Sequence, residues 1–184
     1  IKEGIFFHSM GIHQLSQIVA ALGLPMSVIS SSPEFKQEEI GFEGITGTST
    51  GVCFIKYKNG GTISYTATRG GHGNPYGFAS RWSGNWLFHG TKGDIKRNGG
   101  RITLYKNGNI VQDYFLKDLD NNLYLDELKQ YEIFHQNLSG NNKFDIQKKS
   151  LESWLLMEAC NISIKEDEKI LLDDLILETG LNNL

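Results

Sequence analysis

The sequence predicts an α+β fold, a mainly antiparallel open β-sheet with helices packed on one face. Three observations carry that expectation. Apolar residues recur at helical spacing near both ends, short β-rich runs fill the middle, and the turns between those runs are brief and glycine-bearing. Parallel neighbours need a crossover of a dozen or more residues, so strands joined by such turns must be antiparallel.

The first helix is marked by Ile12, Leu15, Ile18, Val19 and Leu22, and Gly23 followed by Pro25 stops it. Ser9 reads as its N-cap, which places Ser9 and His13 about one turn apart on one face. Met26 to Ser30 reads as a strand, and residues 31–50 as a polar, glycine-bearing excursion. Gly51 to Tyr57 and Thr62 to Ala67 flank Lys58-Asn59-Gly60-Gly61, a hairpin signal. Within this block Val52, Phe54, Ile63 and Tyr65 are expected to share the covered face, as are Ile102 and Leu104 further on.

Residues 68–85 form a long loop rich in glycine and aromatics, of a length that is usually functional. Four more strands follow: Trp86 to His89, Asp94 to Lys96, Arg101 to Tyr105 and Ile110 to Tyr114. Two helices come next. The first, about 124–138, carries Tyr124, Leu128, Tyr131, Phe134 and Leu138 on one stripe. The second, about 146–163, opens on Asp145 as N-cap and turns Leu151, Trp154, Leu155, Ala159 and Ile162 inward. Acidic residues 166–168 and 173–174 read as solvated turns.

A length of 184 residues fits one domain with a real core, and 39% hydrophobic with 21% charged residues is ordinary for a globular protein. A net charge of −3 argues against nucleic acid or an anionic membrane as partner. Cys53 and Cys160 lie in apolar patterns, without metal-ligand spacing, and read as packed thiols in a reducing, cytoplasmic compartment. The chain opens on Ile1, just before a helix, and reads as part of a longer protein.

Neither Arg69-Gly70-Gly71-His72-Gly73 nor Gly90-Thr91-Lys92-Gly93 leads into a helix, so the glycines read as turn chemistry and no nucleotide site is expected in this chain. His72, His89 and His135 read as surface or structural residues, and no metal site is expected. His13 is the candidate catalytic residue, because an imidazole early in a helix can accept a proton near neutral pH. Arg81, Trp82 and Asn85 offer a cation, a ring and an amide at the start of a strand and, with Ser9, are the candidate substrate-binding residues.

Read in order, these segments resemble the C-terminal domain of the glucose-fructose oxidoreductase/inositol dehydrogenase (Gfo/Idh/MocA) family. The likeness rests on Gly4 through Pro25, the Asn59-Gly60-Gly61 hairpin, Trp86 through Ile95 with its Gly-Thr-x-Gly turn, and the helix from Ser150 to Ser163. The resemblance implies that residues 1–184 are one substrate-binding and oligomerisation domain, preceded by a Rossmann domain that holds NAD or NADP. It further implies a carbohydrate-like substrate (a sugar, sugar nucleotide or cyclitol) and a homo-oligomer formed through the sheet face. The family's histidine falls on His13, while its usual aspartate position holds Ser9. That departure keeps open an alternative, a non-catalytic ligand-sensing or regulatory member. On either reading the isolated domain should be inactive.

Overall fold

The computed structural model describes residues 7, 11–32, 50–68, 85–98, 101–115, 123–140 and 145–181. The chain divides into two compact units. One comprises Ile1–Gly71 and Asp145–Leu184, the other His72–Phe144. Among the described residues, eight strands pair antiparallel throughout, but in two four-stranded sheets rather than one.

In the first unit, helix α1 (Ile12–Leu22) leads to strands β1 (Ser27–Ser31), β2 (Thr50–Lys56) and β3 (Thr62–Thr68). Strand β8 (Ile170–Leu171) completes the sheet in the order β3-β2-β1-β8. The register sets Ser30 opposite Cys53 and Cys53 opposite Tyr65, with Val28, Ile55 and Ile63 aligned in the neighbouring row. Val28, Cys53, Ile55 and Tyr65 are buried on this face, together with Leu15, Ile18 and Val19 of α1. Leu155, Leu156, Ala159 and Cys160 join them from the long helix Ile146–Glu166, which packs on α1 and β1. This is an antiparallel sheet with its helices on one face.

The opposite face carries Ile29, Val52, Phe54 and Leu171, all more than a third exposed. Val52 and Phe54 therefore do not share a face with Ile63 and Tyr65, contrary to the sequence-based expectation. The reason is local. Val52 to Ile55 is apolar at every position, so hydropathy alone cannot choose its parity. Tertiary pairing with Tyr65 and Val28 does.

The long helix begins where expected, since Asp145 Oδ1 accepts the Lys148 amide at 2.9 Å. Its inward surface is wider than the predicted stripe. Glu152, Ser153, Asn161 and Ser163 are buried, whereas Trp154 is turned out. Each buried polar group with an identified bond serves assembly. Ser163 Oγ accepts the Ser30 amide at 2.8 Å and donates to the Glu168 carbonyl at 2.5 Å, pinning the helix end to β1. Lys149 Nζ donates to Glu152 Oε2 at 2.8 Å and reaches the Val19 carbonyl at 3.5 Å.

The segment after the long helix is also more ordered than predicted. Strand β8 leads directly into a short helix, Leu172–Glu178, with Leu172 and Leu175 buried one turn apart. Asp173 and Asp174 occupy its first turn, where carboxylates suit the positive helix end, and Asp173 also pairs with Lys58 at 2.8 Å.

The second unit is a meander of β4 (Asn85–Gly90), β5 (Gly93–Asn98), β6 (Arg101–Lys106) and β7 (Asn109–Phe115), followed by the helix Leu123–Leu138. Two turns are dictated by backbone conformation. Asn107 and Gly108 both have positive φ, 50° and 77°, the hairpin geometry an Asn-Gly pair favours. Gly93 has φ 147°, and a Cβ there would lie 2.6 Å from the Tyr105 carbonyl oxygen. Trp86 and Phe88 stack at 5.9 Å on the face shared with Ile95, Ile102 and Leu104. On the other face Arg101 and Thr103 hydrogen-bond Asp113, and the arginine holds that carboxyl below its ordinary range. Tyr131, Phe134 and Leu138 are exposed, so this part of the predicted helical stripe is not packed on a sheet. Among the described residues, no helix is long and apolar enough to cross a membrane.

Candidate functional site

His13 stands in the first turn of α1 and is exposed. Its carbonyl accepts Ser16 Oγ at 3.0 Å and Gln17 Nε2 at 3.1 Å, bonds that tighten the turn below it. Gly11, rather than Ser9, occupies the N-cap. It has helical φ and ψ of −62° and −34°, offers no capping side chain, and no acidic residue follows in the first turn. Phe7 and Gly11 each have the wider, π-type winding. Phe7 itself is fully buried.

The next residue points the other way. Successive helical residues are about 100° apart, so an exposed His13 is compatible with a buried Gln14. Gln14 Oε1 accepts a hydrogen bond from Tyr65 Oη at 3.2 Å, and the Tyr65 ring lies 6.3 Å from that of Phe7. Burial, with the Cys53 and Cys160 thiols close by, pushes the Tyr65 phenol above its ordinary range and keeps it a donor. The hydrogen bond that the Cys53 thiol makes to Cys160, together with burial, pushes that thiol up as well, so it is held as a thiol. At the other end of α1, Tyr57 Oη donates to the Gly23 carbonyl at 3.3 Å. Burial raises that phenol to about 12.

Of the residues expected at the site, His13 is in the first unit, accessible at the start of α1. Asn85 is in the second unit, exposed as the first residue of β4 and paired with Asn98. Ser9, Arg81 and Trp82 lie outside the described residues. The Gln14–Tyr65 pair was not foreseen, although a glutamine inside an apolar helical stripe is the kind of signal that marks a buried partner. His89 is exposed and bonds Asp94 at 3.1 Å across the β4–β5 hairpin, and His135 is exposed. Neither belongs to a group of three metal-binding side chains among the described residues. The Gly90-Thr91-Lys92-Gly93 turn joins β4 to β5, so its amides do not form the helix N-terminus that a dinucleotide phosphate requires.

No protein-family model matches the chain, and no curated protein matches it in sequence. Its fold does match solved structures. An oxidoreductase from Agrobacterium radiobacter, crystallised with NAD+, L-tartaric acid and magnesium, superposes with a TM-score of 0.74 at 15% identity, covering 95% of this chain and 51% of that one. An oxidoreductase from Thermotoga maritima gives 0.68 at 19% identity, over 95% and 47% of the two chains. The WlbA dehydrogenase from Bordetella pertussis, in complex with NADH and UDP-GlcNAcA, gives 0.59 at 16% identity, over 90% and 47%. The chain thus has a fold found in NAD-binding oxidoreductases and spans about half the length of the structures it matches.

Proposed function

We propose that this chain is the substrate-binding and oligomerisation part of an NAD(P)-dependent oxidoreductase acting on a sugar, sugar nucleotide or cyclitol in the cytoplasm. The observation that carries the reading is an accessible imidazole at the start of α1, in a fold shared with oxidoreductases whose complexes hold NAD+ or NADH. The cofactor is assigned to a preceding domain. Bound there, the cofactor would supply the hydride-accepting chemistry. His13 takes the proton from the substrate hydroxyl as hydride leaves the same carbon, and returns it in the reverse reaction. Ser9, Arg81, Trp82 and Asn85 hold the substrate's remaining polar groups. The exposed apolar face of Ile29, Val52 and Phe54 supports self-association through the first sheet.

The test is turnover of the intact protein with NAD+ or NADP+ against a panel of sugars, cyclitols and UDP-sugars, followed at 340 nm. His13→Ala should lower turnover by about 10²–10⁴-fold with little change in melting temperature. Unchanged turnover with a large loss of stability would establish a structural histidine instead. Ser9→Asp separates the alternative reading. A gain of activity in an otherwise silent protein would mark a ligand-sensing member whose dehydrogenase site has decayed.

A further inference from the structure

We propose that Tyr65 is a positioning residue for His13, acting through its buried hydrogen bond to Gln14. The proposal rests on the reading of His13 as the proton acceptor.

Helix α1 begins without a side-chain cap and without a first-turn carboxylate, so little in its own sequence fixes how its first turn is rotated. The rotation is set from outside. Gln14 is 8% exposed and Tyr65 9%, and the 3.2 Å bond between them joins the first turn of α1 directly to β3. Leu15, one position further on, is fully buried, so packing and hydrogen bond act on adjacent residues of the same turn. At the far end Tyr57 holds the Gly23 carbonyl and Lys149 reaches the Val19 carbonyl. The C-terminal end of α1 is therefore anchored independently.

Loss of the Tyr65 bond would loosen the N-terminal end of α1 more than its C-terminal end, and with it the azimuth of His13. The consequence is specific. Removing the donor from a buried amide oxygen carries a desolvation cost that favours reorientation of the side chain. Any such turn moves the adjacent residue through the helix backbone. A shift of about 1 Å at a proton-transfer group is enough to cost on the order of 10²-fold in rate.

The test uses Tyr65→Phe, which removes only the donor, and Gln14→Met, which keeps the volume and removes the acceptor. The protein is probed with diethyl pyrocarbonate, and carbethoxylation of each histidine is followed by peptide mass spectrometry. His13 should change its rate by at least about threefold in each variant, and by no more in the double variant, because the two residues act as one unit. His89 and His135, in the other unit, should not change. In the NMR spectrum the His13 imidazole resonances should move in both variants, a readout that loss of global stability would not confine to one ring. Unchanged His13 reactivity and resonances in a folded Tyr65→Phe or Gln14→Met protein would overturn the proposal, as would additive effects in the double variant. Full turnover in His13→Ala would instead remove the catalytic reading, while the coupling of Tyr65 to the His13 ring would still be measured on the protein itself.

Discussion

Strand β2 offers a sharp test, because Phe54 and Ile55 are neighbours with opposite fates. Ile55 is fully buried beneath the helices, and Phe54 is 45% exposed on the open face. Threonine is β-branched and strand-favouring, so it suits the strand at either site and the comparison bears mainly on burial. Ile55→Thr removes the equivalent of two buried carbons, about 1.6 kcal/mol. It also desolvates a hydroxyl, at about 1–3 kcal/mol by protein mutational measures. The sum, about 2.6–4.6 kcal/mol, corresponds to roughly 5–18 °C in melting temperature for a chain of this length. In Phe54→Thr the new hydroxyl meets water, and the expected cost is about 1 kcal/mol or less, about 2–4 °C. Thermal unfolding by circular dichroism at low micromolar concentration reads both. A larger loss from Phe54→Thr than from Ile55→Thr would show the sheet to be paired one residue out of register, with its faces exchanged. Sedimentation of the same variants adds a second measurement. If the open face associates, Phe54→Thr weakens association while Ile55→Thr acts on stability.

Further outcomes follow from capping and from titration. Asp145→Ala removes the acceptor of the Lys148 amide and should cost about 1 kcal/mol, largely restored by Asn, in urea denaturation. The Tyr57 phenol moves from about 10 in the unfolded chain to about 12 in the fold, and Tyr65 moves in the same direction. The folded state therefore keeps protons that the unfolded chain releases, so this contribution to stability is complete below about pH 10 and declines as pH rises towards 12. Denaturation midpoints should fall across that range as phenolate absorbance at 295 nm rises. Tyr65→Phe should reduce the decline. Asp113 behaves in the opposite sense. Its carboxyl is held low by Arg101, so the stability it contributes is present above the ordinary carboxylate range and lost as pH falls through its lowered value. Arg101→Met should abolish that acid-side loss, as read by NMR titration of the Asp113 carboxyl.

Much of the architecture was legible in residue order. Helical spacing with a Gly-x-Pro stop set out α1, alternation and Asn-Gly turns set out the hairpins, and Asp145 announced the long helix. These are local signals, with the backbone conformation, the capping atom and the apolar period all lying within a few residues. His13 could likewise be singled out because one imidazole stood one turn into an amphipathic helix. Three-dimensional packing decided what local chemistry left open. An unbroken apolar run from Val52 to Ile55 carries no parity, and only the partners Tyr65 and Val28 turn Ile55 inward and Phe54 outward. Trp154 faces out although it is apolar, while Leu155, Leu156 and Ala159 of the same helix are the residues buried in the core. The short β8 strand is stabilised by its pairing with β1, through Ser27–Leu171 and Val28–Ile170, and no window of its own sequence contains that partner. The Tyr65–Gln14 bond joins residues 51 positions apart, and at that separation only the folded chain brings donor and acceptor together.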